Sequence, residues 1–266
     1  MTEFMLARFF SHTPDYDLCI NANEVIRGGT GYAISLEGGK EVYHPEMDKP
    51  LSEDIEHIYP DYSLYPNLDA AYGFLTRGCS RGCQFCIVAG KEGQRSRKVA
   101  DLSEFWKGQK KIVLCDPNIL ACPEWRELFS QLIESKALID FNQGLDIRLM
   151  TEEKAQMIAK IRIKEIHFAW DRYEDKDKVL PKLELFAKVS NAKPHSHNAI
   201  VYTIVNFSTT LEQDLERIYI LRDMGYWPYV MIYDKQHSRP VYKDLQRWVN
   251  NRFIFAKCQR FEDYNK

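Results

Sequence analysis

Six short apolar runs between residues 71 and 235 constrain the fold of this chain more than any other feature. They are residues 71–76 (AYGFLT), 111–114 (KIVL), 138–141 (LIDF), 165–170 (EIHFAW), 199–207 (AIVYTIVNF) and 229–233 (YVMIY). Their length and their β-branched and aromatic content read as strands. The segments between them carry helical signals. Trp125, Leu128, Phe129, Leu132 and Ile133 recur at the spacing of one helix face, as do Val179, Leu183, Phe186 and Ala187. Thr151 stands as an N-cap before the acidic first turn of Glu152 and Glu153. Thr210 and Gln213 form a capping box for a helix running through Met224, which Gly225 ends. Alternating strand and helix implies a parallel sheet with right-handed crossovers. Six units fall short of an eight-unit closed barrel. The expected architecture is therefore α/β: a partial, open parallel β/α barrel of about six units, with a short irregular N-terminal segment and a C-terminal helix.

At 266 residues and 45% hydrophobic content, the chain can bury one large core, with or without a small appendage. The expected division is a shortened N-terminal segment over residues 1–70, the core over 71–235 and a helical extension over 236–266. In the first segment, residues 4–10 read as a strand and 22–26 as a short helix. Residues 32–34 and 41–43, flanking Gly38 and Gly39, read as a hairpin. Pro45, Pro50, Pro60 and Pro66 punctuate the connection that follows. The glycine pair in GGTG (residues 28–31) marks a turn rather than a dinucleotide fingerprint. A formal net charge of −2 gives no reason for an obligatory nucleic-acid partner, although a local basic patch leaves one open. No apolar run reaches the length of a membrane span. Seven cysteines without a secretory leader pattern point to a reducing cytoplasm.

Each apolar run ends in polar residues, and in parallel α/β folds reactive groups gather at the carboxyl ends of the strands. The first run leads into Gly78-Cys79-Ser80-Arg81-Gly82-Cys83-Gln84-Phe85-Cys86. Three thiolates at this spacing can hold three corners of a [4Fe–4S] cluster. They leave one iron open, as a catalytic metal centre requires. Phe85 is placed to cover one face of such a cluster. A zinc site completed by a distant ligand and a redox thiol set are the alternatives. The other runs end at Asp116-Pro117-Asn118, at Asn142-Gln143 with Asp146 and Arg148, at Asp171-Arg172, at Asn206 and at Asp234. Asp and Asn also follow strands because they make turns and cap helices. Lys91, Arg95, Arg97 and Lys98 read as a solvated loop or as a patch for an anion or an acidic partner. Cys115 and Cys122 read as small buried hydrophobes or as hydrogen-atom donors. Cys19 and Cys258 read as structural, and His195-x-His197 as a loop.

CSRGCQFC resembles the CxxxCxxC signature of the radical S-adenosylmethionine (SAM) superfamily. That resemblance implies a [4Fe–4S] cluster on Cys79, Cys83 and Cys86, and S-adenosyl-L-methionine chelated to the open iron. It implies reductive cleavage of SAM to a 5′-deoxyadenosyl radical that abstracts hydrogen from a substrate not yet identified. Flavodoxin or ferredoxin would supply the electron. It also places Asp116, Pro117 and Asn118 at the SAM amino group, and Asn142, Gln143 and Asp146 at the ribose. Arg148 would face the SAM carboxylate, and Asn206 the adenine. The longer run GCSRGCQFCIVAGKEGQRSR is similar to the cluster loops of methylthiotransferases and of relatives with a cobalamin-binding domain. Only Cys19 precedes Cys79, and no D-x-H-x-x-G motif is present. Neither a second cluster nor cobalamin is therefore expected. The alternative is a non-catalytic iron–sulfur sensor or binding protein derived from such an enzyme.

Overall fold

The computed structural model describes residues 3–7, 24–29, 31–38, 40–64, 68–190 and 198–264. Its strands in chain order are β1 (Glu3–Ala7), β2 (Glu24–Gly28), β3 (Ile34–Glu37), β4 (Lys40–Tyr43), β5 (Ala70–Gly73), β6 (Thr76–Arg77), β7 (Arg97–Lys98), β8 (Lys111–Leu114), β9 (Leu138–Leu145), β10 (Ile163–Ala169), β11 (Ala199–Val205) and β12 (Trp227–Ile232). The α-helices are α1 (Glu53–Glu56), α2 (Val88–Lys91), α3 (Trp125–Ser135), α4 (Glu152–Ile158), α5 (Lys176–Val189), α6 (Leu211–Asp223), α7 (Pro240–Asn250) and α8 (Arg252–Lys257).

Six strands form one sheet in the order β12-β11-β10-β9-β8-β5, and every pairing in it is parallel. Each unit therefore adds beside the one before it, which brings the carboxyl ends together. Helices flank the sheet because one side of each strand is apolar. Ile112, Leu114, Ile139, Phe141, Ile166, Phe168 and Val201 share a buried core with Leu128, Phe129, Leu132, Ile158, Leu183 and Phe186 of α3, α4 and α5. Burying each such side chain contributes about 1.5–3 kcal/mol. The caps read from sequence are formed: Thr151 Oγ1 accepts from Lys154 N at 3.3 Å, and both halves of the Thr210–Gln213 box are made.

Side chains occupy both edges of the sheet. At β12, Val230 N donates to Asn250 Oδ1 at 2.8 Å, while Asn250 Nδ2 and Gln246 Nε2 both donate to Val230 O at 3.0 Å. Pro228, two residues earlier on the same outward register, has no N–H to satisfy. At β5, Tyr72 N donates to Tyr62 Oη at 2.9 Å, and that hydroxyl faces Tyr72 O and Phe105 O.

Three sequence expectations change. Of the expected helix 22–26, the described residues 24–26 are strand instead: β2 begins there, parallel to β1 with Glu24 opposite Glu3, in keeping with β-branched Val25 and Ile26. The C-terminal helix is broken at Asn251, whose Oδ1 accepts from Phe253 N and Ile254 N and so caps α8. The third run continues to Leu145 and is bulged. Between Phe141 and Leu145, β9 uses four residues where β10 advances only from Ile166 to Phe168. A bulge of this kind re-aims side chains. The hairpin forms between β3 and β4, slightly displaced from its expected bounds. Cys19, His12, His195 and His197 lie outside the described residues.

Candidate functional site

The cysteine loop is a closed excursion. β6 and β7 pair antiparallel at its base, Thr76 opposite Lys98 and Arg77 opposite Arg97. Cys79 N donates to Gly93 O at 3.1 Å, and Arg77 Nη1 reaches Glu92 Oε1 at 3.1 Å. Lys91 Nζ, almost fully buried, pairs with Asp48 at 3.0 Å. Gly78 has φ +87°, and a methyl there would collide with the Arg95 carbonyl oxygen. Under the loop, Asp116 ties it to the sheet: Thr76 N, Thr76 Oγ1 and Leu75 N donate to its carboxylate at 2.5, 2.6 and 3.2 Å.

A cavity of about 240 Å³ opens between this loop and the strand ends. Cys79, Cys83 and Cys86 all line it, with Phe85, Pro117, Asn118, Gln143, Asp146, Arg148 and Asp171 on its other walls. The thiols are close enough that Cys79 and Cys83 both disfavour the Cys86 thiolate. Desolvation pushes the Cys86 thiol up to about 11, although the residue as a whole presents exposed surface. Burial also raises Cys83, and the Arg81 guanidinium beside it pulls the other way. Among the described residues, no three His, Cys, Asp or Glu side chains converge as the shell of a metal ion. No other described cysteine lines the cavity: Cys115 is buried, Cys122 donates to Glu124, and Cys258 donates to Arg260 O. Phe85 packs edge-on against Phe207, with centroids 5.3 Å apart.

Of the residues expected around a ligand, Pro117, Asn118, Gln143, Asp146 and Arg148 line the cavity, while Asp116, Asn142 and Asn206 do not. Asp116 is committed beneath the loop, and burial lifts its carboxyl to about 6 despite the three donors. Asn142 is absent from the cavity wall that Gln143 joins, and its backbone carbonyl accepts from the Tyr202 hydroxyl at 3.1 Å. Asn206, at φ +61°, donates through Nδ2 to Tyr233 O at 3.3 Å. Asn118 is nearly fully buried. Its Nδ2 lies 3.8 Å from Cys79 Sγ, and its Oδ1 has no hydrogen-bond partner.

The guanidinium of Arg148 is already engaged. Its Nε and Nη2 hold both oxygens of Asp146 at 2.7 and 2.8 Å, and Nη1 holds Asp175 at 2.7 Å. Arg81, from within the cysteine motif, approaches the same two carboxylates more loosely, at 3.4 and 3.6 Å. Composition and spacing gave no reason to single out Arg81 or Asp175. The basic run after the loop is also largely committed: Arg97 donates to Glu92 O, and Lys98 pairs with Asp101 and Glu127.

Buried charge fixes the outer wall. Arg217 and Asp214 on α6 are both fully buried and paired at 2.5 Å. Arg217 also donates to Trp170 O, Asp171 O and Ile204 O at 2.6, 2.8 and 2.7 Å, while Asp214 Oδ2 accepts from Asn206 N. The carboxyl ends of β10 and β11 are thereby clamped together. Asp171 Oδ1 completes the clamp by accepting from Ile204 N at 3.2 Å, and desolvation raises its carboxyl to about 6.

No protein-family model matches this chain, and a search of curated proteins finds no match either. Among the described residues, no helix is long and apolar enough to cross a membrane.

Proposed function

We propose that the chain is a radical SAM enzyme built on a partial, open β/α barrel, with Cys79, Cys83 and Cys86 holding a [4Fe–4S] cluster. One observation carries this reading: three thiols share a cavity with the strand-end polar groups, and no fourth described thiol lines it. The residues present fit the group. Three sulfur ligands suit an iron–sulfur cluster with one free corner, and the orphaned Asn118 Oδ1 is an acceptor waiting for a donor. When bound, the cluster supplies the electron that splits SAM into methionine and a 5′-deoxyadenosyl radical.

The chain's own residues would bind and orient. Asn118 Oδ1 would accept from the SAM amino group, while Gln143 and Asp171 would serve the ribose hydroxyls. Phe85, braced on Phe207, excludes water from one side of the cavity. Arg148, expected at the SAM carboxylate, has its fork filled by Asp146 and Asp175 and in this arrangement would stiffen the wall. Arg81, held more loosely, is the cation free to turn toward an anionic ligand. An acidic electron donor in a reducing cytoplasm would complete the system.

Anaerobic reconstitution with iron and sulfide, followed by dithionite and SAM, tests the proposal. The expected result is about four irons per chain and release of 5′-deoxyadenosine, with serine at any one of the three cysteines abolishing both. A fully loaded protein that leaves SAM intact overturns it. The occupied fork of Arg148 favours one second reading, an iron–sulfur binding protein that has lost productive SAM binding. In that case SAM leaves the reduced cluster's EPR signal unchanged.

A further inference from the structure

A second cavity, of about 350 Å³, lies against the same sheet on its lower rows. The strand register explains its lining. His167 pairs with Ile200 and Ile200 with Trp227; one row nearer the carboxyl ends, Ala169 pairs with Tyr202 and Tyr202 with Tyr229; above that, Ile204 pairs with Met231. Alternate residues share a face, so Glu165, His167, Tyr202, Trp227, Tyr229 and Met231 all look into one space. Arg252 closes its rim. Tyr202 and Met231 also line the thiol cavity, so the two spaces share a wall.

The chemistry of the lining is specific. The His167 and Tyr202 rings stack at 4.9 Å and 17°, and Tyr229 meets Tyr202 edge-on at 5.7 Å. The Tyr202 hydroxyl is used by Asn142 O and one of its ring faces is covered by His167, so Tyr229 presents the open flat surface. His167 Nδ1 lies 2.7 Å from Phe141 O. A carbonyl can only accept, so Nδ1 carries the proton, and in that tautomer Nε2 is the ring's acceptor. Glu165 Oε2 stands 3.9 Å from that nitrogen, and Glu165 Oε1 stands 3.9 Å from Arg252 Nη2. Flat aromatic faces, two acceptors and one cation at the rim describe a particular kind of guest.

We propose that this lower chamber binds a planar heteroaromatic ring of nucleobase size whose N–H edge donates to Glu165 and His167, with an anionic group reaching Arg252. The ring lies beside Tyr229 and Tyr202, and the rest of the molecule passes Tyr202 toward the thiol cavity. A space of this size lies in the usual range of small-ligand sites, roughly 300–1,000 Å³. The substrate class rests on the radical SAM reading for its chemistry, but ring binding needs neither iron nor SAM.

The test uses metal-free full-length protein and guanosine 5′-monophosphate, whose base carries adjacent N–H donors, read by saturation-transfer NMR. The base H8 proton should receive saturation, and S-adenosylhomocysteine should not displace the nucleotide. Tyr229→Leu keeps an apolar side chain at a two-fifths exposed position, and should weaken binding about tenfold by removing a stacking surface. Arg252→Gln should weaken the monophosphate several-fold and leave guanosine unchanged. No saturation with the wild-type protein, wild-type affinity in Tyr229→Leu, or displacement by S-adenosylhomocysteine overturns the proposal. If reconstituted enzyme fails to cleave SAM while these binding results hold, the radical SAM reading falls and the ring site stands.

Discussion

Gly78 and Asp116 show how much of the site depends on single residues. Gly78 combines φ +87° with backbone contact from Arg95, so a Cβ there meets both strain and collision. Gly78→Ala should destabilise the fold by about 1–3 kcal/mol and lower iron uptake, read by denaturant unfolding and metal analysis. Asp116 makes a pH prediction. Its folded pKa, about 6 against an ordinary aspartate's 3.8, means that the folded state holds the proton more tightly. Its stabilising contribution is therefore present in full below about 3.8 and is lost as pH rises through about 6. Its size is on the order of 3 kcal/mol. Unfolding free energies of metal-free wild-type protein should fall more steeply between about pH 4 and 6 than those of Asp116→Asn, and equal slopes would refute this. At this scale the cysteines, Asn118 and Gln143 were legible from their types and their place after apolar runs. Arg81 was not. An arginine between two cysteines carries no signal until Asp146 and Asp175 are seen beside it.

Helix α6 is the element whose sequence conceals its role. Asp214 and Arg217 look like a surface pair one turn apart, yet both sit on the stripe that includes buried Ile218 and Leu221. Charges at core-facing positions were the available clue. Arg217→Met leaves Asp214 buried without its partner and should cost about 3–5 kcal/mol, whereas the double change with Asp214→Leu should cost less than the two single losses together, with only part recovered because the carbonyls of Trp170, Asp171 and Ile204 stay unpaired. Additive losses in thermal or denaturant unfolding would show that the pair is not coupled. Strand β12 makes a second prediction. Asn250→Ala strips Val230 of its N–H acceptor, which should cost about 1–3 kcal/mol and increase self-association, measured by unfolding and light scattering. The six apolar runs gave the sheet and its order almost outright. The bulge in β9 falls between Phe141 and Leu145, around Gly144, the one residue of LIDFNQGL that signals a pairing slip, and apolar patterning alone does not fix its register.

At the scale of the molecule, the apolar mass and the thiol-bearing loop are separate. None of the three cysteines belongs to either buried core. Chelating the metal from reconstituted protein should therefore leave one cooperative melting transition by circular dichroism, while residues 78–96 alone become sensitive to protease. Loss of the whole transition would instead mean that metal and fold form together, as in zinc fingers. The stoppers at the two margins of the sheet carry a consequence of their own. With the outward backbone groups of Val230 taken by amides of α7 and those of Tyr72 met by the phenol of Tyr62, no extended peptide can dock by lengthening the sheet. A partner that meets the six-stranded sheet at either margin must recognise it through side chains, so its affinity should respond to surface charge and salt rather than to competing strand-forming peptides.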